Sequence, residues 1–228
     1  MIQRQLDNIF HDSNEIEQEL YIPLLTSIPY IKKYNYKRSL YKLFKAVKPL
    51  NSLVITSSSP SEGKSLVNLL FARLIAGLGK RVLLIDADMR RPQLHHNLDL
   101  HNNLGLSHLL VDESLDWRDV TQDLREIEGF HVIAAGSKPE TSLNSHRLQS
   151  VLGKITDSEE FDIVLIDTPP VMLFEDSALI GKCCDGLVLV VSINKVYRNL
   201  PAKSLKKLKE NGVIPVGMVT NLVNLHRP

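Results

Sequence analysis

The chain has 228 residues, 43% hydrophobic and 23% charged, with 27 Lys and Arg against 26 Asp and Glu for a net charge of +1. That length suits one domain burying roughly 70% or more of its unfolded surface, and the near-neutral balance gives no global pull towards nucleic acid, which is not an expected partner. No apolar run approaches the roughly 18–20 residues of a membrane span and no leader pattern opens the chain, so the expected location is cytoplasmic, at the inner face of the plasma membrane only through a partner or a fused membrane segment.

Residues 1–19 are polar, with Asp12 and Glu15 spaced as a capping box ahead of Ile16 and Leu20, and are expected to add little core. Pro23 and Pro29 bracket a short apolar turn or strand. The next stretch is basic: Lys32, Lys33, Lys37, Arg38, Lys42, Lys45 and Lys48 occur with no acidic residue from Ile31 to Ser61. Leu40, Leu43, Phe44 and Val47 recur at helical spacing, so residues 36–48 read as an amphipathic helix. Its cationic face suits solvent, an acidic neighbouring subunit or anionic lipid.

The apolar stretch 53–55 runs through Thr56, Ser57 and Ser58 into Ser59-Pro60-Ser61-Glu62-Gly63-Lys64-Ser65, after which Leu66, Leu69, Leu70, Ala72, Leu74 and Ile75 mark a helix closed by Gly77 and Gly79. Strand, Gly-Lys-Ser loop and helix together read as a phosphate-binding loop. Residues Ser59, Pro60, Ser61, Glu62, Gly63, Lys64 and Ser65 cradle phosphate oxygens in this reading, with backbone N–H groups and the positive end of the helix as donors. Lys64 reaches the β/γ-phosphates and the Ser65 hydroxyl ligates Mg²⁺. Ser58 stands where the first glycine of the motif is usual.

A Leu-rich, β-branched run from Arg81 closes on Asp86-Ala87-Asp88-Met89-Arg90-Arg91-Pro92, and period two turns Asp86 and Asp88 the same way. Two anions at one strand end call for a cation nearby. Residues 92–123 are His- and Asn-rich and weakly periodic, and His95, His96 and His101 lack the companion carboxylate or Cys spacing of a metal site. A strand over 130–134 and a helix over 145–155 precede a second acid-ended strand, Ile163-Val164-Leu165-Ile166-Asp167-Thr168-Pro169-Pro170. Residues 177–184, a strand over 186–192, a helix over 199–211 and a strand over 214–221 continue the alternation. Adjacent Cys183 and Cys184 read as core in a reducing compartment. The fold class is therefore α/β, a P-loop NTPase-like parallel sheet with helices on both faces and its site at the carboxyl ends of the strands.

The set T-S-S-S-P-S-E-G-K-S, L-L-I-D-A-D-M-R-R-P and I-V-L-I-D-T-P-P resembles the cytoplasmic domain of the bacterial tyrosine kinases of capsule and exopolysaccharide export. The resemblance runs from a juxtamembrane-like linker at 1–35 through a kinase domain at 36–228. It implies an ATP-dependent protein-tyrosine autokinase, with ATP and Mg²⁺ as cofactors. It also implies a protein tyrosine substrate, a membrane polysaccharide co-polymerase as activator, and a homo-oligomer. Catalysis then falls to Lys64, Asp86 as general base, Asp88, and Arg90 orienting Asp88 or a phosphate. Mg²⁺ falls to Ser65, Asp88 and, through water, Asp167, and the adenine edge to Asn221. The chain departs from the family at Ser61, where glycine is usual, and at Asn35, Arg38 and Tyr41, where E-x-x-R-x-x-R is usual. It ends without a tyrosine cluster. The other tyrosines are Tyr21, Tyr30, Tyr34, Tyr36 and Tyr197. Alternatives are a nucleotide-binding regulatory subunit with little kinase activity, or a partition-type ATPase, whose signature Lys would stand at Ser59.

Overall fold

In the computed structural model, which describes residues 8–29, 36–137 and 145–223, the apolar runs assemble into one eight-stranded sheet. In chain order the elements are α1 (Ser13–Leu20), β1 (Leu24–Pro29), α2 (Tyr36–Val47), β2 (Ser52–Ser57), α3 (Lys64–Ala76), β3 (Val82–Asp86), α4 (Leu94–Leu98) and α5 (Leu106–Leu109). They continue with β4 (Thr121–Asp123), β5 (Phe130–Ile133), α6 (Ser145–Asp157), β6 (Ile163–Asp167), α7 (Asp176–Gly181), β7 (Gly186–Ser192), α8 (Asn199–Glu210) and β8 (Gly217–Val223). The sheet order is β1-β8-β7-β2-β6-β3-β5-β4. Every pairing is parallel except β4 with β5.

The central strands are buried on both faces, so they read as continuous apolar runs rather than alternating ones. Along β3, Leu83 and Ile85 pack with α5, α6 and α7 on one face, while Val82 and Leu84 pack with α2, α3 and α4 on the other. Parallel pairing brings the carboxyl ends of every strand but β4 to one edge. Register sets the acids there: Asp86 lies opposite Asp167, and Asp167 opposite Ile55, two residues before β2 ends.

Two expectations need correction. Residues 8–20 do contribute core, because Phe10, Ile16 and Leu20 are buried against Leu189, Val191 and Met218, a pattern hidden by the polar residues between them. The cap of α1 is also simpler than a box. Asp12 accepts from the Asn14 N–H at 2.8 Å, whereas Glu15 turns back to the His11 N–H at 3.4 Å rather than to that of Asp12. The three-residue strand β4 carries no apolar period and escapes sequence reading.

Phe10 is fully buried under the Arg198 guanidinium, which lies 4.8 Å from its ring. Phe10→Ala is expected to lower unfolding free energy by about 3–5 kcal/mol, read as a fall in the urea midpoint. An unchanged midpoint would mean that residues 8–20 are not part of the cooperative unit.

Candidate active site

The loop between β2 and α3 needs two left-handed residues, Ser61 at φ 63° and Gly63 at φ 87°. At Gly63 the requirement is stronger, because a Cβ there would stand 2.2 Å from Asn221 Nδ2 and displace that side chain. At Ser61 the side chain is exposed and the backbone strain costs roughly 1–2 kcal/mol. Lys195 holds that peptide in place by donating from Nζ to the Ser61 carbonyl at 2.6 Å.

Glu62 anchors the loop from inside. One of its oxygens accepts from the Ser59 N–H and hydroxyl at 2.6 and 3.1 Å, and the other from the Ser192 N–H at 3.0 Å. Burial pushes the Glu62 carboxyl up from its usual range, while the N–H groups of Ser192 and Ser59 pull it back. Asn221 donates from Nδ2 to the Glu62 carbonyl at 2.9 Å, so its amide nitrogen braces the loop. The sequence pointed to Ser61 and Glu62 as loop residues but gave no sign that Lys195 supports the first and Ser192 the second.

Lys64 opens α3 and folds its side chain inwards. Its Nζ lies 3.1 Å from Asp88 Oδ2, 3.1 Å from Ser65 Oγ and 3.5 Å from Asp167 Oδ2. Burial alone would depress the ammonium, but Asp167 and Asp88 outweigh it and hold Lys64 charged. Asp88 also accepts from the Arg91 N–H at 3.2 Å, and Asp167 is pushed up by burial against the pull of Lys64.

Asp86 is wholly buried, accepting from the Asp88 N–H at 3.1 Å and the Leu94 N–H at 3.2 Å. Burial first, then the Asp167 and Asp88 charges, raise its carboxyl from the usual 3.8 to about 7. Arg90 does not turn to Asp88. Its Nε donates to Asp176 at 3.3 Å and its guanidinium lies 4.2 Å from the Phe174 ring, because the segment after Pro170 offers both a carboxylate and an aromatic face.

Lys64, Ser65 and Asp88 border a cleft of about 350 Å³ whose walls also include Pro60, Ser61 and Phe174, whereas Glu62, Asp86, Asp167 and Arg90 are not among its lining residues. A wider groove of about 820 Å³, near Arg73, His96, His101 and Arg125, contains none of the motif residues. No group of three His, Cys, Asp or Glu among the described residues is arranged to hold a metal alone. The donors around Lys64 fit a magnesium–phosphate group on two counts. They are hard oxygens, and Asp167 Oδ1 and Ser58 Oγ are buried without a hydrogen-bond partner. Of the tyrosines, Tyr21, Tyr41 and Tyr197 are exposed and Tyr36 is partly buried, while Tyr30 and Tyr34 lie outside the described residues. Asn35 and residues 224–228 of the tail lie outside them too.

No family model matches the chain. It is 34% identical over 162 residues to the tyrosine-protein kinase YwqD of Bacillus subtilis (strain 168), covering 70% of this chain and 67% of that protein. It is 29% identical to the putative tyrosine-protein kinase CapB of Staphylococcus aureus over 83% of each chain. Among solved structures, the kinase domain of the Escherichia coli tyrosine kinase ETK superposes with a TM-score of 0.84 at 25% identity, covering 95% of this chain and 96% of that one.

Ser61→Gly is expected to stabilise the chain by about 1 kcal/mol by relieving the left-handed serine, whereas Gly63→Ala should lower stability through the clash with Asn221. Thermal melts of the pair give the two signs. Asp86 also sets a pH dependence. The folded state keeps a proton that the unfolded chain loses near 3.8, so this group's stabilisation is fullest below 3.8 and is lost as pH rises through about 7. Asp86→Asn should flatten that limb in urea melts taken across the window.

Proposed function

The chain belongs to the bacterial tyrosine kinases, and from that membership we propose how its cleft performs the family's reaction. It is an ATP-dependent protein-tyrosine kinase of capsular and exopolysaccharide assembly. The observation that carries the site assignment is the convergence of Lys64, Ser65, Asp88 and Asp167, drawn from three separated motifs, around one ammonium.

In this reading Ser59, Pro60, Ser61, Glu62, Gly63, Lys64 and Ser65 hold the phosphate chain of ATP, and Asn221, whose amide nitrogen also braces the Glu62 carbonyl, meets the adenine edge. Ser65 and Asp88, with Asp167 through water, are the residues that would hold Mg²⁺. When bound, ATP and Mg²⁺ supply the transferable phosphoryl group and neutralise its charge. Lys64 keeps a permanent positive charge at the phosphate end, since the two carboxylates hold it protonated. Asp86 is the base for the tyrosine hydroxyl, its raised carboxyl suited to exchanging a proton near neutral pH. Backbone N–H groups occupy both its oxygens, so a tyrosine reaches it only if the turn from Asp88 to Leu94 shifts. Arg90 pairs with Asp176 and lies on Phe174, which leaves a phosphate rather than Asp88 as the group it would orient.

No helix among the described residues is long and apolar enough to cross a membrane. The proposed placement at the inner face of the plasma membrane therefore rests on a polysaccharide co-polymerase partner or a fused segment. Self-assembly and a protein tyrosine acceptor complete the proposal, with 36–228 as kinase domain and 1–35 as a linker whose residues 8–29 lend α1 and β1 to that domain's core and sheet.

Lys64→Met is expected to abolish phosphotyrosine formation from radiolabelled ATP. It should also lower stability by about 3–5 kcal/mol, since it leaves buried carboxylates without their cation. ADP release measured with and without a tyrosine acceptor tests the assignment: acceptor-dependent turnover is the expected result. Acceptor-independent turnover would mark an ATPase, and tight nucleotide binding without turnover a regulatory subunit.

A further inference from the structure

The charge of this chain is divided very unevenly. Residues 31–61 hold seven Lys and Arg and no acid, which leaves 20 cations against 26 acids elsewhere, a net of −6. Five of the seven, Lys37, Arg38, Lys42, Lys45 and Lys48, lie on α2 or just beyond its end, and all five are exposed. At about 100° per residue they fall within an arc of roughly 140°, opposite the buried Leu40, Leu43 and Val47.

The apolar side of α2 is already used. It packs on β1 and α3, and the Ser39 hydroxyl donates to the Ser27 carbonyl at 2.7 Å to fix it there. None of the five cations makes an ion pair with a described residue. Tyr41, 42% exposed, sits in the middle of the arc with the Lys45 ammonium 5.0 Å from its ring. No residue of α2 lines the catalytic cleft.

We propose that this face docks the domain on an anionic phospholipid surface, with the bilayer as its occupant. The kind of cation favours lipid. Six of the seven are lysines, hydrated point charges without the fork that pairs carboxylates bidentately, and such charges suit a diffuse plane of headgroups better than a set of fixed side chains. An aromatic at the headgroup level adds to the attraction. Because the apolar side is locked into the core, adsorption is electrostatic rather than insertive and weakens sharply with salt. The inference does not depend on the kinase assignment.

Co-sedimentation of the full chain with phosphatidylcholine vesicles, with and without phosphatidylserine, tests it. Binding is expected only with phosphatidylserine, and Lys37→Gln/Lys42→Gln/Lys45→Gln should weaken it about a hundredfold. Lys203→Gln/Lys206→Gln/Lys209→Gln on α8, the same change of charge elsewhere, should leave it nearly intact. Lys42→Gln alone, with a smaller loss, serves if the triple variant fails to fold. Equal binding to both vesicles, equal loss in the α2 and α8 variants, or no loss in the α2 variant would overturn the proposal. So would a change in assembly mass of the α2 variant with no vesicle binding by the wild type, which would make the face a protein interface.

Discussion

A lysine ammonium held between two carboxylates is the interaction on which the rest of this structure depends. Lys64 is 11% exposed, and Asp88 and Asp167 are more buried still, so none of the three charges is well hydrated. Each is tolerable only because the others are there. The sheet supplies the geometry: β3 and β6 are neighbours, β6 and β2 are neighbours, and all three end at one edge. The cation is therefore already in place at the spot where phosphate and metal charge must be balanced.

The loop before α3 shows how such a site is kept open. Backbone N–H groups must point outwards to receive phosphate, which leaves the loop with few internal bonds of its own. Its rigidity comes from behind, from the Glu62 carboxylate joining Ser59 to Ser192 and from Asn221 on the Glu62 carbonyl. The support thus lies on β7 and β8, strands with no phosphate-binding chemistry of their own.

Much of this was legible in the sequence, for identifiable reasons. Buried parallel strands are continuous apolar runs, and their acid-ended closures at Asp86 and Asp167 mark the edge to which they deliver. The Gly-Lys-Ser turn then places the helix. Features that depend on a second element were not legible. The turn of Arg90 towards Asp176 and Phe174 requires knowing that the segment after Pro170 folds over the β3 loop. Likewise the core role of Phe10, Ile16 and Leu20 requires knowing that β1 joins the sheet beside β8. Thr121–Asp123 becomes a strand only because β5 offers an open edge.

The bracing of the loop reaches further than the cleft. The segment after β7 that sends Lys195 to the Ser61 carbonyl is itself clasped by the first described residues: the Asn194 N–H donates to the Phe10 carbonyl and the Arg198 N–H to the Asn8 carbonyl, each at 2.8 Å. Arg198 continues to Glu15 and Glu19 on α1. The amino-terminal segment and the phosphate loop thus lean on the same stretch, residues 194–198. By reciprocity, any factor by which one tightens the other must be returned in equal measure.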